Sequence, residues 1–433
     1  MEGATRRSLL QSGAALTAAL FTGRVAGANE RVRVGFIGLG RMGQGNVRTC
    51  QRIPDFDVTA LCDVYGPHLE KAAGMAPGAK LYKDFRELIA AKDVDAVCLS
   101  TPDHWHAYMT VEACKAGKDV YVEKPISVVV EEGRVMVQAA RKYKRVVQVG
   151  TQQRSGTHFA QARDLVRAGR LGKISFVRTW NYGNQYPEGI GSPPDGEPPP
   201  DLDWDMWLGP ARKVPFNPNR FGVDPKEFSH FRWFWDYAGG MVTDWAIHLI
   251  DIVLWAMDAA GPTAITASGG KFHIQDNRET PDTMQVTWEF PGWVCVYEDR
   301  ILNGQSMFGQ GYGILFHGTD GTLFVDRSRY QLIPERRGRG EAAVDRTEPA
   351  EGKSSNNHSL AHWENFLASI RSRELPVSDI EQGHRSTAMA LLGNVAYRSR
   401  QRVDWDPQTE TTSNKEARPY LRREYRRPWK LSS

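Results

Sequence analysis

The chain has few cysteines, little excess charge and no long hydrophobic run, and each shortage removes a class of protein. Five cysteines in 433 residues, none in a CxxC pair, make neither a disulfide framework nor a zinc site of the usual spacing. Cys50, Cys62, Cys98, Cys114 and Cys295 therefore read as small buried apolar residues. A net charge of +4 is too small for a general nucleic-acid binder. Basic residues do gather in KEARPYLRREYRRPWK near the C-terminus, but acids and aromatics interleave them, which suits a docked terminus better than a nucleic-acid tail. The apolar stretch Leu9 to Gly23 is too short and too rich in Ala and Gly to span a bilayer.

What remains is a globular chain, 41% apolar and 24% charged, long enough for two or three domains. Thr5-Arg6-Arg7-Ser8-Leu9-Leu10 places paired arginines before the uncharged stretch, and Ala26-Gly27-Ala28 supplies small residues for cleavage. Residues 1–28 resemble a twin-arginine signal, whose route exports folded proteins to the periplasm. The alternative is a disordered start with two chance arginines.

Residues 31–150 alternate apolar strands with amphipathic helices, the grammar of a parallel sheet covered on both faces. Gly38-x-Gly40-x-x-Gly43, with Arg41 and Met42 inside it, ends the first expected strand and opens the first helix. Glycines there permit a sharp turn, close approach of backbone to a pyrophosphate, and helix-on-strand packing. Asp63 follows Gly43 by twenty residues at the end of the second strand, where a carboxylate accepts ribose hydroxyls and repels a 2'-phosphate. NAD is favoured over NADP. Ligands sit beyond the carboxyl ends of such strands, so Thr101, Pro102, His104, His106, Glu123 and Lys124, with Gln153 further on, are candidate cofactor-cleft residues. A metal is the poorer explanation of His104 and His106, because no third ligand lies within reach along the sequence. Lys124 is the most telling of the set, since a lysine in a cleft is costly to bury without purpose.

From 151 to 410 the grammar changes to a helix (158–168), a long strand in GKISFVRTWNY, a Pro/Gly loop (187–200) and a series of strand-like runs. An antiparallel sheet with helices on one face is expected. Residues 335–355 read as an exposed loop, followed by closing helices at 358–371 and 381–400 and a basic tail at 411–433. Aromatics concentrate between Trp180 and Trp255, as a stacking surface or as buried core. Arg154, Asn181, Trp233 and Tyr237 are candidate walls of a substrate site. In MVTDWAIHLIDI, Asp244 and His248 are four apart, so a helix presents both on one face. A carboxylate beside an imidazole makes a proton acceptor near neutral pH.

The set GxGxxG, TPxxxH, EKP and GG(x)3-D-x-x-x-H, in this order, resembles the Gfo/Idh/MocA family of sugar oxidoreductases over nearly the entire chain after the leader. WDMWLGPA, HRSTAMALLGNVAYRSR, VDWDP and REYRRPWK look like its exported branch. The family pattern often has Asn after the TP pair, where this chain has Asp103. The resemblance implies a Rossmann domain joined to an α/β domain whose open sheet commonly forms a homodimer or homotetramer interface. It puts the catalytic lysine at Lys124, the aspartate at Asp244 and the histidine at His248.

On this reading His248 takes a hydroxyl proton, Asp244 orients the imidazole or the sugar, and Lys124 polarises the oxygen. An exported enzyme finds no free nicotinamide pool, so NAD would be carried tightly and recycled in place. The alternatives are a glycosidase or epimerase working by transient oxidation, a non-catalytic carbohydrate- or partner-binding protein on the same fold, and a cytoplasmic dehydrogenase whose leader is misread.

Overall fold

A computed structural model describes residues 31–221, 230–338 and 340–432; the expected export signal lies outside the described residues. Six strands form the first sheet: β1 (Val32–Ile37), β2 (Phe56–Cys62), β3 (Lys80–Tyr82), β4 (Ala96–Leu99), β5 (Asp119–Val122) and β6 (Val147–Val149). All pair in parallel, in the order β3-β2-β1-β4-β5-β6. The order reverses between β1 and β4, and the crevice at such a switch point is where a doubly wound sheet takes its ligand. VRVGFI, AVCL and DVYV are nearly continuous apolar runs because helices cover both faces of these central strands. The helices that flank the crevice are α1 (Arg41–Cys50) and, after β4, α2 (Asp103–Lys115).

The second sheet has nine strands. Its centre is β7 (Ile174–Tyr182), flanked by β10 (Trp293–Arg300) in parallel and by β11 (Tyr312–Gly318) antiparallel. β8 (Ala264–Gly270) and β9 (Thr283–Phe290) continue one side, and β12 (Gly321–Val325) and β13 (Arg329–Pro334) the other. TMQVTWEF alternates buried and accessible residues, as a strand covered on one face must. Helices at Thr157–Arg167, Ile247–Met257 and Ile380–Ser399 cover that face and share one core with Trp288, Tyr297 and Phe316.

Two expectations are corrected. Residues 335–355 are not all loop: β14 (Arg336–Arg337) pairs with β15 (Val344–Asp345), and β16 (Ala350–Lys353) adds to the edge of the large sheet beside β13. Backbone pairing there needs little side-chain burial, so hydrophobic periodicity could not signal it. The helix His358–Ser372 does not close the second domain. It crosses back onto the first sheet, where Trp363 stacks on Tyr121 at 4.6 Å and Phe56 meets it edge-on at 5.6 Å.

The basic terminus is docked. Arg423 Nε donates to Glu132 at 2.6 Å, Arg426 Nη1 to Asp205 at 2.6 Å, and Trp429 packs edge-on against Trp105 at 4.9 Å. All five cysteines are buried and unpaired.

Candidate active site

The cleft begins at the glycine turn. Gly38 has φ +85°, and a Cβ there would lie 2.7 Å from the Ser100 carbonyl. A Cβ on Gly43 would lie 1.9 Å from the Gly38 oxygen, so Gly43 serves helix-on-loop packing and does not line the cleft. Gly40 differs: the nearest atom to a Cβ would be His68 Cε1 at 3.9 Å, and no side chain caps the helix that starts after it. The first turn of α1 thus offers backbone N–H groups to open space lined by Arg41 and Met42, a cradle that fits a pyrophosphate. Asp63, at the end of β2, accepts from Leu39 N at 2.6 Å with one oxygen and from Tyr65 N at 2.9 Å with the other. A carboxylate oxygen has a second lone pair for a ribose hydroxyl. These residues fit NAD.

Thr101, Pro102, His106, Glu123 and Lys124 also line the cleft. His106 ties its walls together: Nδ1 lies 2.7 Å from the Pro125 carbonyl and Nε2 2.9 Å from that of Thr101. Burial lowers its pKa to about 4, so the ring is neutral and donates to one of the two. An unfolded imidazole titrates near 6.5. The unfolded chain therefore takes up this proton first, and the stability that the neutral ring confers is present above about 6.5 and lost as pH falls toward 4. His106→Gln should remove about 1–2 kcal/mol of the stability lost between pH 7 and pH 5. Urea unfolding of both proteins at the two pH values measures this, and equal losses would reject it.

The catalytic candidates meet where the two domains touch. Lys124 follows β5, and its Nζ donates to Asp244 Oδ1 at 3.1 Å and to the Asp244 carbonyl at 2.9 Å. Asp244 also pairs with Arg232 at 3.3 Å. Burial alone would raise its pKa, but Arg232 and Lys124 hold it at about 2. Asp244 lies in a π-helical turn, Val242–Ala246, that leads into the α-helix bearing His248. No hydrogen bond joins Asp244 to His248, so the expectation that Asp244 orients the imidazole is corrected: it holds two cations instead. The wider turn displaces it from regular helical spacing. Neither ring nitrogen of His248 meets a hydrogen-bond partner among the described residues, and Nδ1 is fully buried. Burial, then Lys124 and Arg327, hold its pKa well below the usual imidazole value. His248 is therefore a neutral ring at the cleft wall, available as a proton acceptor.

Besides Gly43, six candidates lie elsewhere. His104 is fully buried, its Nε2 3.0 Å from the Trp207 carbonyl and its ring 5.1 Å from Tyr237. The helix α2 starts at Asp103, so the two histidines of DHWH fall on different faces and only His106 reaches the cleft. Gln153 sits behind the wall and its neighbour Gln152 lines it. Arg154 forms a buried pair with Asp251, at 2.8 and 2.9 Å. Asn181 is buried in β7 beside Asp299. Trp233, under the Arg278 guanidinium at 4.5 Å, and Tyr237 belong to a core beneath the insertion after β7. Core was the alternative for these aromatics, and core is what they form.

The residues not foreseen include Arg232, Trp207, Trp245 and Arg327. Trp245 lies between two foreseen residues, and Arg232 stands just before the Gly239-Gly240 pair. Arg327, in the turn after β12, has no local signal.

Residues 32–151 match the family model described as "Oxidoreductase family, NAD-binding Rossmann fold" and residues 157–325 the one described as "Oxidoreductase family, C-terminal alpha/beta domain". The Bacillus subtilis oxidoreductase YrbE, itself uncharacterized, is 24% identical over 69% of this chain and 75% of its own length. Inositol 2-dehydrogenase of Rhodococcus erythropolis is 32% identical over 38% of this chain, and that match spans only 48% of the relative. The WlbA dehydrogenase of Bordetella pertussis, solved with NADH and UDP-GlcNAcA, superposes with a TM-score of 0.65 at 19% identity, over 87% of this chain and 99% of its own. With the dinucleotide cradle, the two-domain fold and both family models in agreement, the chain belongs to the Gfo/Idh/MocA family of NAD-binding oxidoreductases.

Proposed function

We propose that this chain oxidises a CH–OH group of a sugar, glycoside or polyol, with NAD held tightly and recycled in place. The observation that carries the reading is the neutral His248 ring beside the Lys124–Asp244 pair in the same cleft as the dinucleotide cradle. Gly40 and the first turn of α1 would hold the pyrophosphate and Asp63 the ribose; bound NAD would supply the hydride acceptor.

His248 takes the hydroxyl proton through the ring nitrogen that is not buried, Nε2. Lys124 Nζ has donors left over from Asp244 and directs one at the developing alkoxide. Asp244 keeps Lys124 in place and compensates its charge. Trp207, Phe231 and Trp245 line the cleft and exclude water from the reacting carbon.

Tight retention rests on the twin-arginine leader: a protein exported folded must bring its cofactor along. The test is to purify the mature chain without added cofactor, denature it, and identify the released dinucleotide. About one NAD per chain is expected. An empty protein with micromolar or weaker NAD affinity would overturn retention. Addition of sugars and polyols to the loaded protein should then raise the absorbance of reduced nicotinamide. Glycosidase or epimerase chemistry would show instead as turnover without net reduction.

A further inference from the structure

The substrate end of the cleft carries more positive charge than the oxidation uses. Lys124, Arg232 and Arg327 all line it. Asp244 stands between Lys124 and Arg232, at 3.1 and 3.3 Å. Burial drives the two other carboxyl groups nearby, Asp103 and Glu123, toward their neutral forms. Among the described residues of this end of the cleft, Asp244 is the carboxylate held in its ionised form.

Arg327 feels the Asp244 carboxylate electrostatically but makes no ion pair with it. Its Nε donates to Gln153 Oε1 at 3.1 Å, and its guanidinium lies over the Trp245 ring at 4.6 Å. The Gln153 amide in turn donates to the His248 carbonyl at 2.9 Å. One carboxamide thus fixes the guanidinium relative to the proton acceptor. Neither terminal nitrogen of Arg327 meets a hydrogen-bond acceptor among the described residues, although the side chain is largely withdrawn from solvent, a costly state for a guanidinium with no carboxylate in contact. A planar guanidinium with both terminal nitrogens available matches a carboxylate in two parallel hydrogen bonds. A phosphomonoester carries more charge and more acceptor oxygens than one fork satisfies.

We propose that the substrate is an acidic sugar, a hexuronate or hexonate, and that Arg327 binds its carboxylate while His248 and Lys124 act on a neighbouring CH–OH. The proposal deepens the oxidoreductase reading and rests on it for the reaction, though not for the binding.

The NAD-loaded full chain is titrated by calorimetry with D-glucuronate, D-galacturonate and D-gluconate, with D-glucose and D-galactose, and with glucose 6-phosphate, and nicotinamide absorbance is followed in parallel. The acids should bind at least about tenfold more tightly than the matching neutral sugars. That preference should vanish in Arg327→Gln and fall partway in Arg327→Lys, which keeps the charge and loses the fork. Hexoses that bind as well as the acids, absence of acid binding, a preference for the phosphate, or equal weakening of acids and hexoses in Arg327→Gln would each overturn the proposal. The two readings fail separately. Neutral sugars reducing the cofactor while acids do not would leave the oxidoreductase and remove the acidic substrate. Arg327-dependent acid binding that never reduces nicotinamide would do the reverse.

Discussion

His248→Ala should slow reduction of the bound nicotinamide by a substrate roughly 10²–10⁴-fold, the usual contribution of a positioned general base. The ring lines the cleft, and neither of its nitrogens has a hydrogen-bond partner among the described residues. His106 also lines the cleft, but both of its nitrogens face carbonyl oxygens of the wall, so neither is presented to a substrate hydroxyl. Because the pKa of His248 is held well below the ordinary imidazole value, first by burial and then by Lys124 and Arg327, the acid limb of kcat/KM should lie below pH 6.5. The variant should lose that limb along with the rate. Stopped-flow absorbance across pH at low substrate reads kcat/KM, and at saturating substrate it isolates the chemical step. Full-speed reduction by His248→Ala would mean that the proton leaves by another route and would remove the residue from the mechanism.

Arg154→Met should destabilise the protein by about 3–5 kcal/mol, the cost of leaving a buried charge without its partner. Arg154 and Asp251 are almost wholly withdrawn from solvent, at 3% and 1% side-chain exposure. Ser386 Oγ donates to the same carboxylate at 2.6 Å, so the pair joins the segment after β6 to the helices Ile247–Met257 and Ile380–Ser399. The first of those helices carries His248 in its first turn, and loss of the pair would loosen the wall that holds the base. The double variant Arg154→Met, Asp251→Leu should recover most of the lost stability, since it removes both charges. Urea midpoints of the two variants and the parent measure this. A single variant as stable as the parent would show that Asp251 is neutralised by other means. Neither outcome bears on substrate binding, because the pair lies outside the cleft.

The sequence by itself determined the local geometry of the dinucleotide site. Gly38 needs its positive φ, Gly43 needs its missing Cβ, and Asp63 needs the end of the second strand; each is a demand made within one turn and its neighbours, so residue type and spacing record it. The same holds for Lys124, Asp244 and His248, which stand at strand ends or on one helical segment. The strand β9 was legible because a sheet face covered on one side writes alternation into the chain.

Only the tertiary structure decided what approaches from far along the chain. Arg154 reads as a wall residue until Asp251 and Ser386 arrive from two distant helices and bury it. Trp363 reads as part of a closing helix until that helix crosses to Tyr121 on the other sheet. Arg327 enters the cleft because β12 ends opposite Trp245 and Gln153, and no spacing in VDRSR encodes that meeting. A side chain's partner across a domain boundary depends on how the two sheets are set against each other, and packing of the whole core fixes that arrangement.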